Sequence, residues 1–133
     1  MTYYLDSSVI IPILNGLDPE VKDKMFSMTV SEIKIPSMVK AELIAGVYKA
    51  HDVKKTMNIT TGFIDSFEIT PFDSNASVTY GKIRAELENK GNRIGSNDLI
   101  IAATVLSRGG ILVTKNTKEF RRVEGLHVEN WSE

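Results

Sequence analysis

The stretch Thr2-Tyr-Tyr-Leu-Asp6-Ser-Ser-Val-Ile-Ile-Pro-Ile-Leu-Asn-Gly16 decides the fold class. Its first four residues, Thr2 to Leu5, are rich in β-formers and read as a short strand. Ser7 to Leu14 reads as a helix that stops at Asn15-Gly16. Asp6 stands at the junction. A strand running straight into a helix is the first unit of an α/β layer if the alternation continues.

It does continue. Asp18 and Pro19 start a helix to about Met28, with Asp18 as its cap and Pro at the first position. Glu32 to Ile35 is a strand, and Pro36-Ser37 opens a helix to about Ala50. His51 to Phe67 reads as one helix with a weak middle at Thr60-Thr61-Gly62, and Glu68 to Thr70 as a strand. Ser74 caps an amphipathic helix over Asn75 to Lys90, ended by Gly91. Gly95-Ser96 introduces the most apolar helix, Asn97 to about Ser107. Ile111 to Thr114 is a buried strand, a helical turn follows at Thr117 to Arg121, and His127-Val128 closes with a strand. Such alternation predicts a largely parallel sheet, with ligands bound outside the carboxyl ends of its strands. Asp6 and Asn116 both fall on that edge.

Composition narrows the chemistry. With 133 residues the chain fits one domain able to bury its own core. It has no cysteine, which excludes disulfides, a thiol nucleophile and thiolate zinc sites and suits a reducing cytosol. No signal peptide or membrane-length apolar run is visible, so a cytoplasmic protein is expected. The net charge of −1 argues mildly against a nucleic-acid binder. Neither G-x-G-x-x-G nor G-x-x-x-x-G-K-[ST] occurs, which disfavours nucleotide-binding folds. A G-x-S-x-G elbow is also absent, and His51 and His127 sit in polar surroundings, so a serine hydrolase fits poorly. A receiver-like phosphoacceptor would need an acidic pair after the first strand, where only Asp6 stands.

Most of the 17 acidic residues read as solvated charge. Three differ. Asp6 lies between Tyr3-Tyr4-Leu5 and Val9-Ile10-Ile11. Glu42 has Met38, Val39, Ala45 and Gly46 at the offsets that share its helix face, and Asp98 has Ile94, Gly95, Ile101 and Ala102. An ionised carboxylate on a core-facing stripe needs a proton, a cationic side chain or a metal to offset its charge. No Lys or Arg lies at helical offset from Glu42 or Asp98. Asp6 and Asp98 also suit plain roles at helix starts, whereas a mid-helix Glu42 has none. If the three converge, their repulsion raises at least one pKa, and a divalent cation relieves it. Oxygen-only ligands point to Mg²⁺ or Mn²⁺ rather than zinc.

At these residues the chain resembles a known family. Tyr4-Leu-Asp6-Ser-Ser8-Val-Ile and Ser37-Met-Val-Lys-Ala-Glu42-Leu-Ile-Ala-Gly46 resemble the opening half of VapC-like PIN domains. Ile94-Gly-Ser-Asn-Asp98-Leu-Ile-Ile-Ala-Ala103 and Leu112-Val-Thr114-Lys-Asn116-Thr-Lys-Glu119-Phe120 resemble the second half. The resemblance implies a single PIN-like domain over residues 1–133. Its fold is three-layer α/β/α with a short, mostly parallel central sheet. It further implies a toxin of a type II toxin–antitoxin pair that hydrolyses RNA with metal-activated water. Asp6, Glu42 and Asp98 fall on the family's principal acidic positions as ligands of Mg²⁺ or Mn²⁺. Asn116 stands at the fourth position, often Asp, and supplies no charge. As a catalytic residue Asn116 can still position a water or accept a metal contact through its carbonyl, while Glu119, one helical turn onward and bordering the pocket, is a candidate to supply the missing charge.

Ser8 and Thr114 match small polar positions bordering the family's pocket. Lys115, Lys118, Arg121 and Arg122 follow the last buried strand and are candidates for RNA phosphate contacts, as are Lys49, His51, Lys54 and Lys55. The implied partners are the RNA substrate, a cognate antitoxin that often inserts a basic side chain into the acidic pocket, and a second copy in a homodimer. Ile13, Leu17, Met25 and Met28 are candidates for those protein contacts or for core packing. The rival reading is a PIN-like domain that binds RNA or protein without cleaving, and Asn116 is the residue that favours it.

Overall fold

The structure is a computed structural model that describes residues 1–132. Five strands form one sheet in the order β3-β2-β1-β4-β5, and every pairing is parallel. They are β1 (Tyr3–Leu5), β2 (Ile33–Pro36), β3 (Glu68–Thr70), β4 (Ile111–Val113) and β5 (His127–Glu129). Seven helices connect and cover them: α1 (Ser7–Leu14), α2 (Pro19–Phe26), α3 (Ser37–Tyr48), α4 (Val53–Ile64), α5 (Ser74–Asn89), α6 (Ser96–Ser107) and α7 (Thr117–Phe120). The result is the three-layer α/β/α arrangement.

The central strands β1 and β4 are almost wholly apolar and buried, as a parallel sheet covered on both faces requires. Leu5, Ile10, Ile33, Ile35, Leu112 and Phe120 are among the largest fully buried side chains and knit the sheet to its helices. Gly110 lets the chain enter β4 at close quarters. A Cβ there would stand 2.3 Å from the Tyr4 ring and 3.2 Å from the Thr2 carbonyl oxygen, so only glycine fits without movement.

Several boundaries differ from the sequence reading for local reasons. A capping box between Thr29 and Glu32 spends Val30–Glu32 on a 3-10 turn, so β2 starts at Ile33. Pro36 ends that strand, paired with Thr70, rather than opening α3. The α4 helix runs unbroken through Thr60-Thr61-Gly62 and is shorter at both ends than expected. Asp52 caps its start by accepting from the Lys55 N–H at 3.1 Å. Asp73, not Ser74, caps α5, accepting from the Ala76 N–H at 2.9 Å and from Arg108 at 2.8 Å. Helices α2 and α3 end two residues before Met28 and Ala50.

In the strand order, connections leave β1 toward β2 on one side and return to β4 on the other. The carboxyl ends of β1 and β4 therefore flank the point where the sheet order reverses, the place where such folds open a crevice. The Asp6 N–H donates to the Val113 carbonyl at 2.9 Å, extending this pairing to the rim.

Candidate active site

Asp6 holds the N-cap position of α1, yet its side chain caps nothing. It is only 4% exposed. Its Oδ2 accepts from the Ser8 hydroxyl at 2.8 Å and the Thr114 hydroxyl at 2.7 Å. Both hydroxyls are themselves oriented by the turn that leaves β4. Ser8 Oγ accepts from the Lys115 N–H and Thr114 Oγ1 from the Asn116 N–H, each at 3.0 Å. With their protons committed to Asp6 and their lone pairs to backbone donors, the two side chains fix one carboxylate oxygen. The other, Oδ1, has no hydrogen bond, and no sealed side-chain oxygen or nitrogen lacks a partner among the described residues. Oδ1 is thus open to the crevice.

Glu42 reaches the same crevice from α3. It is half-buried, and burial followed by the negative charge of Asp6 raises its pKa. Hydrogen bonds from Ser7, at 3.3 Å to Oε1, and from Asn97 partly offset this. The sequence places Glu42 on a core-facing stripe, but Ala45 and Gly46 on that face are exposed. They leave that side of α3 open to solvent.

Asp98 lies in the first turn of α6, also half-buried. Burial, then the hydrogen bond and charge of Glu119, then the charges of Asp6 and Glu42 push its pKa up to about 7. Glu119 takes the opposite course. Burial pushes it upward, but the Gly95 N–H, Asp98 and Asn116, helped by the charge of Arg122, hold it below the ordinary carboxylate range. Its Oε1 accepts from that Gly95 N–H at 2.8 Å, an orphan donor at the start of α6, and its Oε2 from Asn116 Nδ2 at 2.5 Å. Asp98 therefore holds its proton to higher pH than Glu119 does.

Asn116 and Glu119 thus stand together beside Asp98. Asn116 aims Glu119, and Glu119 brings the negative charge. Asp6, Glu42, Asp98 and Glu119 lie near one another at this rim: Asp98 feels the charges of the other three, and Glu42 that of Asp6. Ser7 and Asn97, both hydrogen-bonded to Glu42, escape the sequence reading although each adjoins a residue that it selects.

The basic residues divide. Lys115 turns away to Asp18, and Arg122 donates to the Arg93 carbonyl at 2.8 Å. Lys118 and Arg121 are exposed and have no side-chain partner among the described residues. Lys49, His51, Lys54 and Lys55 are all exposed around the start of α4. Of the apolar residues considered for protein contacts, Ile13 and Met25 belong to the core. Met28 packs against it, and Leu17 is 59% exposed.

The donor set suits a hard divalent cation. It consists of carboxylate oxygens, one of them unpartnered and open, and no ion pair among the described residues reaches any of the four acids. Among those residues no three acidic or histidine side chains close into a ready-made metal cage. Their oxygens are turned instead toward hydroxyls, amides and one another.

Comparison with known proteins agrees with this fold. The PIN domain family model matches residues 3–126. The chain is 32% identical over 131 residues to the tRNA(fMet)-specific endonuclease VapC of Salmonella typhimurium, covering 98% of each chain. It is 35% identical over 132 residues to ribonuclease VapC2 of Rickettsia felis, again covering 98% of each. It superimposes on a chain of the DNA-bound VapBC structure from Salmonella typhimurium with a TM-score of 0.93, at 31% identity and 98% coverage of both. The chain therefore belongs to the PIN-domain family, among its VapC ribonucleases.

Proposed function

We propose that this chain is the ribonuclease toxin of a toxin–antitoxin pair and hydrolyses RNA phosphodiester bonds at the Asp6–Glu42–Asp98–Glu119 crevice, with Mg²⁺ or Mn²⁺ as cofactor. The single observation that carries the reading is the nearness of four acids, none in an ion pair among the described residues, at the reversal point of the sheet. A divalent ion bound there supplies Lewis-acid stabilisation of the phosphoryl oxygens and lowers the pKa of attacking water. Asp6, Asp98, Glu42 and Glu119 are the residues that would hold it.

The chain's own groups set the conditions. Ser8 and Thr114 hold Asp6 Oδ2, leaving Oδ1 turned to the crevice. Asn116 and the Gly95 N–H hold Glu119 beside Asp98. The proton that Asp98 keeps up to about pH 7 must leave before it can act as a ligand, so cation binding strengthens as pH rises through neutrality. Lys118 and Arg121, exposed on the chain segment that follows Asn116, offer phosphate contacts.

Partners follow from the relatives. The Salmonella structure is a VapBC complex on DNA, and for this chain a cognate antitoxin and a second copy of itself are the expected partners. No helix among the described residues is long and apolar enough to cross a membrane, and the cytoplasm, where RNA substrate lies, is the expected place of action. The non-cleaving alternative rests on Asn116; Glu119, hydrogen-bonded to it, supports the cleaving reading by offering the charge that Asn116 lacks.

The test is RNA cleavage, with tRNA(fMet) as the first substrate because the Salmonella relative is named for it. Cleavage is expected with Mg²⁺ or Mn²⁺ and lost with chelator and in Asp6→Asn. Equal cleavage in all of these samples would show a contaminant nuclease and remove the proposal's support.

A further inference from the structure

Asp18 has a backbone conformation that its sequence does not favour. Among the described residues it is the one non-glycine with positive φ, at φ 53° and ψ 54°. It also precedes Pro19, a position biased toward extended backbone. A side chain in the left-handed region is strained unless its surroundings hold it there. At the N-cap of α2 such a side chain ordinarily earns its place by capping, yet Asp18 makes no cap hydrogen bond.

Its carboxylate goes elsewhere. Asp18 Oδ2 accepts from Lys115 Nζ at 2.5 Å, with both side chains about one-third exposed. Lys115 sits in the turn after β4, and its backbone N–H donates to Ser8 Oγ. Ser8 donates in turn to Asp6 Oδ2. The flanking residues of that turn, Thr114 and Asn116, hold Asp6 and Glu119. The ion pair thus ties the α1–α2 connection to the three-residue turn that orients two of the four acids. It also commits the Lys115 ammonium outside the acidic crevice.

We propose that Asp18, through Lys115, is a positioning residue for the cation-binding acids: it holds the Thr114–Asn116 turn so that Ser8 and Thr114 keep Asp6 Oδ1 facing the crevice. The inference rests on the metal reading given under Proposed function. It touches no ligand directly, so its effect is smaller than that of losing a direct partner of a ligand, which costs roughly 10–100-fold in metal affinity.

The experiment uses the full chain, purified with chelator and dialysed. Five proteins are compared: wild type, Asp18→Gly, Asp18→Asn, Lys115→Met and the double variant Asp18→Asn/Lys115→Met, the last three completing the cycle with wild type. Mn²⁺ binding is measured by calorimetry, and amide exchange of Lys115 and Asn116 by NMR in metal-free protein. Asp18→Gly removes the carboxylate while easing the left-handed backbone, so it separates positioning from stability. The expected result is Mn²⁺ affinity weakened about three- to tenfold in each single variant, with Lys115 amide exchange faster and thermal stability of Asp18→Gly undiminished. The double variant should be no weaker than the singles, because both remove one pair.

Unchanged Mn²⁺ affinity and unchanged amide exchange in Asp18→Gly overturn the inference while leaving the metal reading intact. Fully additive losses in the double variant overturn it as well. A wild-type chain that binds no Mn²⁺ overturns the metal reading and the inference with it.

Discussion

The acidic crevice should destabilise the protein whenever no cation is bound, and Asp98 is where this can be measured. Its pKa is about 7 in the folded chain against an ordinary value of 3.8. Between those values the folded state keeps a proton that the unfolded state has lost. Stability is therefore fully present below about pH 4 and falls as pH rises through 7. Three pKa units correspond to about 4 kcal/mol. Asp98 is half-exposed, and solvent screening reduces the effect to roughly 1–2 kcal/mol.

Asp98→Asn keeps the shape, can still donate to Glu119, and cannot ionise. In metal-free buffer it should melt about 3–8 °C above wild type at pH 8 and with little difference at pH 4. Thermal denaturation from pH 4 to 8, in chelator and then in excess Mg²⁺, is the assay. Mg²⁺ should raise the wild-type melting temperature at pH 8 more than that of the variant, because ligand binding to the folded state adds stability. Parallel melting curves for the two proteins across the pH range would refute the reasoning, since the charge repulsion assigned to Asp98 would then be absent.

Three further outcomes follow from the same geometry. Thr114→Val removes a donor to Asp6 at nearly constant volume. It should cost about 1 kcal/mol of stability in urea unfolding and lower RNA cleavage roughly tenfold; unaltered cleavage would show that Thr114 does not orient Asp6. Glu119→Ala should weaken Mn²⁺ binding by roughly tenfold or more, and Asn116→Ala by less, as calorimetry would reveal. The reverse ranking would return the fourth position to Asn116. Lys118→Ala and Arg121→Ala should each weaken RNA binding across sequences and reduce its salt dependence by about one unit of slope, whereas a salt slope equal to wild type would remove them from the RNA path.

The α/β class is legible because its signals are local. Leu5 hands directly to a helix ended by Asn15-Gly16, and Glu68–Thr70 is flanked by breakers that set it off as a strand. Asp6 is legible as a site residue because a strand's carboxyl end in a parallel sheet is where such folds bind ligands. Glu119 is not fully legible. Its role depends on the start of α6, 24 residues away, offering the Gly95 N–H to it, and no periodicity within Thr117–Phe120 encodes that approach. Glu42 reads as a charge on an apolar stripe because Ala45 and Gly46 count as apolar, although in the fold both are exposed. The choice between Asp73 and Ser74 as the cap of α5 turns on one residue of register. The Arg108 contact from α6, which propensity cannot see, supports Asp73.

The central claim is that these four acids converge to hold a divalent cation. Its most direct measurement is a crystal structure of the full chain grown with Mn²⁺, with data collected at the manganese absorption edge. An anomalous peak bounded by Asp6, Asp98 and their acidic neighbours, lost in crystals of Asp6→Asn, is the predicted result. No peak in that crevice at saturating Mn²⁺, or one on another face of the protein, would contradict the account.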